Sequence, residues 1–343
     1  MKRIFFPFFC LALLIFSLPA EDLPRLTQIS GPTSIAGASL WFFAIPDGSP
    51  ASSAVVSAER SGDLMVGRMD LLHPEKPVDW SLAVRGSSLK ARVTDHWHLF
   101  AHGFHWIAYS TQKGSFLIRL NPKLEMEVDE PIRITTTPPT NDLFMVEEPS
   151  GIAIGHYLPG KGHRIFRFTK TGGFLEVIQF CGETYTHSNG ASAEMHNMGF
   201  RIFAPKTLNP SSPSPILSIF ADRLWKPEQI DTLIDEPGAN LAMPTSVKLP
   251  SGHRLLHARV RPAQKSIPGY SGDNGDIVRY ILDISGRILS RTPLVRGSGN
   301  RPHTSLFDDL IVTTWDGNGS LWMRVDRIAG PLEMRLSKPE LKP

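Results

Sequence analysis

Cysteine is scarce in this chain: Cys10 and Cys181 are the two in 343 residues. A sustained helical apolar period is missing, and beyond the first twenty residues so is any apolar run long enough to cross a bilayer. Charge of one sign is lacking too, with 36 Lys and Arg against 33 Asp and Glu and no basic run. These absences exclude a disulfide-stapled mini-domain, a predominantly helical fold and broad electrostatic binding of nucleic acid. Present instead are 28 Gly and 29 Pro, spread evenly among short apolar runs, a composition suited to many turns and short strands.

The first residues form a secretory signal. Lys2 and Arg3 give a positive start, Ile4 to Leu18 is apolar almost throughout, and Ala20 precedes Glu21–Asp22. A retained membrane anchor is the alternative, for which the run is short. Cys10 lies too early for a lipoprotein site and lacks the small residues around it. Cleavage after Ala20 leaves a single domain, residues 21–343, secreted or periplasmic and no longer able to span a membrane. It removes Lys2 and Arg3, so 34 basic residues face 33 acidic ones and the net charge falls to +1. Cys181 then stands alone. It ends the run Leu175, Val177, Ile178, Phe180, and a buried thiol is expected there rather than a nucleophile.

A unit recurs along the mature chain. Its core is a strand, usually with a central arginine, followed by a turn: Leu64–Asp70, Phe116–Asn121, Ile165–Thr169, Ile216–Ala221, Ile277–Asp283 and Leu321–Asp326. Turns such as Thr169–Gly173 and Asp283–Arg287 follow, then a further strand such as Phe174–Ile178. Ahead of each core strand lies a hairpin. The clearest is Asp95–Ser110, two strands meeting at His102–Gly103. With Phe42, Ile107, Ile152, Ile202, Leu255 and Ile311 taken as equivalent second-strand positions, the spacings are 65, 45, 50, 53 and 56 residues. Six units of four antiparallel strands predict an all-β, six-bladed β-propeller; a sandwich or two small β domains is the alternative. Residues 208–215 and 261–276 read as insertions in the fourth and fifth units.

The pattern resembles the sialidase-like, BNR-repeat propellers of secreted proteins. Ser271, Asp273 and Gly275 match the Ser, Asp and Gly of that family's Asp box, but Val278 stands where its Trp belongs, and the motif precedes the third strand instead of following it. Phe200–Pro205 is similar to the Phe-Arg-Ile-Pro start of sialidases, with one extra residue before the proline. The resemblance implies the architecture and supplies no catalytic arginine triad.

In a propeller the loops entering the inner strands converge on one mouth of the central channel. That placement gathers Asp95, His96, His98, Asn141, Asp142, Glu194, His196, Asn240, Arg301 and His303 as candidate ligand-binding residues. The two insertions and the turn Asp316–Gly319 would overhang them. His102 and His105 fall at the hairpin turn on the other face and are set apart. The residue types suit several chemistries. Asp95, Asp142 and Glu194 are candidates for the paired carboxylates of a glycosidase. His96 or His303 as base, with Arg301 on a substrate carboxylate, would suit a polysaccharide lyase. His96, His98, His196 and His303 would suit Zn²⁺, and Asp273, Asn274 and Asp276 would suit Ca²⁺, although no metal motif is complete and no cofactor is expected. Against all of these, polar residues at strand starts commonly bond exposed backbone. Arg68, Arg119, Arg167, Arg279 and Arg324 share one structural position, which points to packing or inter-blade hydrogen bonds. Asn318–Gly319–Ser320 is a glycosylation sequon. The expectation is an exported, monomeric propeller binding an extracellular ligand, a glycan first among them. A polysaccharide-active enzyme and a protein-interaction scaffold are the alternatives.

Overall fold

A computed structural model describes residues 23–35, 40–47, 52–86, 91–127, 130–136, 143–158, 162–181, 190–196, 199–206, 211–264 and 274–329. These form 23 β-strands in antiparallel sheets. The first four-stranded sheet holds β2 (Leu40–Ile45), β3 (Ser53–Arg60), β4 (Asp63–Asp70) and β5 (Asp79–Val84). The second holds β6 (Asp95–Ala101), β7 (Phe104–Thr111), β8 (Gly114–Leu120) and β9 (Ile132–Thr135). The third holds β10 (Leu143–Glu148), β11 (Gly151–Leu158), β12 (Gly162–Thr169) and β13 (Phe174–Cys181). The fourth holds β14 (Ser192–His196), β15 (Gly199–Pro205), β16 (Ile216–Asp222) and β17 (Pro227–Ile234). A seven-stranded sheet joins β18 (Ala239–Lys248), β19 (Arg254–Pro262), β20 (Gly275–Leu282), β21 (Ile288–Phe307), β22 (Leu310–Gly317), β23 (Ser320–Ala329) and, at its edge, β1 (Arg25–Ile35).

Two-residue turns make this meander. Ser61–Gly62, His102–Gly103 and Asn318–Gly319 all have positive φ at both positions, the conformation that matches a tight hairpin to strand twist. The long strand β21 serves two partners. Ile288 to Gly299 pairs with β20, and Asn300 to Phe307 pairs with β22. At Gly299 an added Cβ would lie 2.4 Å from Ile277, so only glycine lets the strand pass there. The first strands of the sheets touch in succession, β2 to β6, β10, β14, β18 and β21, and β21 returns to β2. The circuit is closed, and β1 pairing with β23 brings Arg25 opposite Ala329.

Apolar side chains of neighbouring sheets fill the gaps between them. One cluster joins Phe144 and Phe180 of the third sheet to Phe200, Ile202 and Trp225 of the fourth. Trp225 is fully buried, stacks on Phe200 at 3.9 Å and donates Nε1–H to Glu148 at 2.7 Å. The recurring arginines stitch sheet to sheet. Arg68 donates to Pro122 O at 2.6 Å and Arg119 to Lys170 O at 2.9 Å, while Arg279 of β20 pairs with the buried Asp326 of β23 within the seven-stranded sheet.

One strand assignment is corrected. Phe42 lies in β2, the first strand of its sheet, and the second strand is β3. The run Phe42–Ile45 is the more apolar of the two, whereas β3 carries small Ala, Val and Ser side chains whose burial comes from neighbouring sheets. With Val56 of β3 in that place, the step to Ile107 becomes 51 residues instead of 65.

Candidate functional site

The starts of the first strands define one face. Asp95 opens β6, and Asn300 and Arg301 begin the second half of β21. Burial decides what these residues can do. His96 and Asn240 are fully buried, Asp95 is 1% exposed and His303 is 9% exposed. They are packed in the walls, which corrects the expectation that they line an open mouth. Asp95 accepts the Leu143 N–H at 3.3 Å, and burial pushes its carboxyl up to about 7 despite that bond and the charge of Arg301. Arg301, held at φ 46° in a bulge, donates to Asp316 at 3.0 Å. Asn240 accepts from Arg259 at 3.1 Å and donates to Ser212 O at 2.9 Å. Asn141, Asp142 and Asp273 lie outside the described residues, as does the side chain of Cys181.

The histidines form a buried file between the first two sheets. Ser57 Oγ lies 3.1 Å from His96 Nε2 and 3.0 Å from His98 Nδ1. His98 Nε2 lies 3.0 Å from His105 Nδ1, and His105 faces Asp47, which Arg68 pairs at 2.9 Å. The separation of His105 from His98 is therefore also corrected. Consecutive strands of a hairpin bring residues seven apart onto one face, and these two imidazoles meet there. Burial lowers the histidines, His96 and His303 to about 3 and His105 to about 4, so they are neutral at pH 7. Phe43, Trp97 and His303, from three first strands, meet at 4.5 to 5.6 Å, with His303 edge-on to the other two rings. Among the described residues, no group of three or more His, Cys, Asp or Glu side chains is placed to hold a metal ion.

Glu194 and His196 sit elsewhere. β14 runs away from the strand-start face, so its last residues reach the opposite face, where first strands turn into second strands. There a cleft of about 250 Å³ opens between the fourth and seven-stranded sheets. Glu194, Met195, His196 and Arg201 line one side; Lys248, Gly252, Arg254, Asp283 and Ile284 line the other. Arg254 grips both carboxylate oxygens of Glu194 at 2.5 Å, a bidentate pair joining β19 to β14. Phe203 is covered by two guanidinium groups, those of Arg201 and Arg254, at 5.1 and 4.9 Å. His196 packs edge-on to Phe220 at 5.3 Å. Met195 and Ile284 are 55% and 77% exposed, which leaves apolar surface beside these charges. Asp283 is held down to about 2 by the Ser285 hydroxyl, with further bonds from Ser285 and Arg287.

The cleft suits binding of a polar ligand with apolar patches. It offers rigid donors, fixed carboxylates and exposed carbon surface together. Sequence reading missed Arg201, Lys248 and Arg254. Arg201 does sit directly across from Glu194 on the adjacent strand, and a hairpin register pairing His196 with Gly199 would have paired them. Arg254 comes from a strand 60 residues on, and no local signal marks it.

No protein-family model matches the chain, and no curated protein does. Solved structures do, and their fold is the β-propeller. The BP39L lectin from Burkholderia pseudomallei aligns with a TM-score of 0.53 and 11% identity over 88% of this chain and 86% of that one. The phage phi92 endosialidase gives 0.55 and 9% over 90% of this chain and 69% of that one. The calcium-binding protein regucalcin from Agrobacterium tumefaciens gives 0.52 and 13% over 89% and 95%. At these identities the likeness is one of fold.

Proposed function

We propose that this chain is an exported, monomeric six-bladed β-propeller that binds an extracellular glycan in the cleft between its fourth and fifth blades. The count of six treats β21 as two strands: its first half closes the fifth blade, its second half opens the sixth, and β1 completes the sixth from the other end of the chain. Export rests on residues 1–20, whose removal leaves Glu21 as the first residue.

The observation that carries the reading is the cleft itself. A bidentate Glu194–Arg254 pair, an arginine stacked on phenylalanine and exposed Met195 and Ile284 stand around one opening. Sugars present hydroxyls on their edges and C–H groups on their faces, and this mixture of fixed polar groups and apolar surface matches both. The lectin and endosialidase among the similar folds support a carbohydrate ligand. Binding is favoured over hydrolysis because both carboxylates of the cleft are engaged, Glu194 by Arg254 and Asp283 by Arg287. Neither is poised as a general acid.

A glycan array probed with the exported protein, followed by calorimetric titration, tests this. N-terminal sequencing of the same sample should begin at Glu21. Arg254→Ala should weaken binding at least tenfold, and Asp95→Asn, a change inside the wall, should leave it intact. Absence of any glycan binding, or loss in Asp95→Asn with retention in Arg254→Ala, sinks the proposal.

A further inference from the structure

Arg201 is the one cation of the cleft whose guanidinium fork is uncommitted. Its Nε donates to Ser218 Oγ at 2.8 Å, and its plane packs on Phe203 and Phe220. Its two terminal nitrogens, Nη1 and Nη2, make no hydrogen bond among the described residues, and Arg201 lines the cleft. Glu194 is its cross-strand neighbour, yet both carboxylate oxygens of Glu194 are taken by Arg254. Arg201 therefore sits partly buried beside a second arginine, with no carboxylate in direct contact among the described residues. Burial and the Arg254 charge act against its own charge, and the more distant Glu194 and Asp231 carboxylates offset this only in part. Lys248 adds another positive charge to the opposite wall, while Asp283 is turned to Arg287.

From this geometry we infer that the cleft takes an acidic sugar, its carboxylate received by the Nη1 and Nη2 edge of Arg201 with Lys248 alongside. The inference rests on the reading of the cleft as a glycan site and names the class of glycan. A carboxylate matches the guanidinium fork with two parallel hydrogen bonds, and it relieves the repulsion between Arg201 and Arg254. The two phenylalanine rings hold the fork in place beforehand, so little side-chain freedom is lost on binding. The Glu194–Arg254 pair has a separate part. It fills the position a ligand carboxylate would otherwise contest and leaves Arg201 as the anion's partner.

The test pairs each uronic- or sialic-acid oligosaccharide that binds with its carboxyl-reduced, neutral form. Reduction of the carboxylate should raise Kd at least tenfold, and affinity for the acidic form should fall as salt is raised. Arg201→Gln should lose that preference, whereas Arg201→Lys, which keeps the charge without the fork, should retain part of it; thermal unfolding of each variant confirms that the fold persists. Equal affinity for the acidic and reduced forms overturns this inference and leaves the glycan site standing. An unchanged Kd in a folded Arg201→Gln variant overturns it as well. Failure of both forms to bind overturns the inference and the glycan site together.

Discussion

Asp95 and the buried histidines titrate in opposite senses, and their balance sets how the protein responds to acid. The Asp95 carboxyl has its folded value near 7 against an ordinary 3.8. The folded state holds that proton more tightly, so this contribution is complete below 3.8 and is lost as pH rises through 7. His96 and His303 have folded values near 3, and His105 near 4, against 6.5. The folded state holds those protons less tightly, so their contribution is complete above 6.5 and drains away as pH falls toward 4 and 3. Each group contributes a slope of about 1.4 kcal/mol per pH unit within its window. Between pH 6.5 and 4 these three histidines, joined by His98 and His257, which burial also lowers, oppose the raised Asp95 and Asp316, so stability should drop on acidification. Calorimetric melting between pH 8 and 4.5 checks this, and a melting temperature that rises toward pH 5 contradicts it. Asp95→Asn should steepen the acid limb, because a group that gains on acidification is gone, leaving Asp316, which burial also raises.

The elements divide into those the sequence states openly and those it does not. Hairpins are local, and their signals are local: β6 and β7 with the His102–Gly103 turn, and the third strands with their arginines, follow from alternation and turn residues alone. Contacts between sheets are carried by residues 40 to 60 positions apart, as with Ser57 and His98 or Glu194 and Arg254, and no short-range pattern reports them. Hence the candidate list held the right kinds of side chain but gathered residues from two faces and from inside the walls. The strand β1 was invisible for a related reason. Its burial pattern is mostly exposed, its sequence is polar and its partner β23 lies some 300 residues away. Its role is nevertheless large, because it covers an edge of β23 that would otherwise present unpaired backbone. Deleting residues 23–35 should give a protein that still forms sheet but associates through that edge and loses exchange protection first in β23. Size-exclusion chromatography with hydrogen-exchange measurement checks this; an unaltered monomer with normal protection in β23 contradicts it.

At the scale of the whole molecule, the circuit of first strands is closed and the shared strand β21 joins both halves of the seven-stranded sheet. One backbone runs through both of its halves, passing Gly299, where any side chain would strike Ile277. The cleft lies at the junction of this sheet with the fourth sheet, and the Glu194–Arg254 pair spans that junction. A ligand bridging Arg201 and Lys248 would add a second tie across the same seam, so binding should raise the melting temperature with the logarithm of ligand concentration over Kd.

The pairing of Arg25 with Ala329 places both ends of the described chain on one side of the disc. That side also carries the ends of β14 and β18, and therefore the cleft. A molecule held close at either end of the described chain would stand with its cleft toward the support. Capture on a sensor chip through a terminal tag should therefore show weaker apparent binding than titration in free solution. Coupling through a lysine on the far side should restore it. For a cell that held this protein by an end, only ligands on that same surface would be within easy reach.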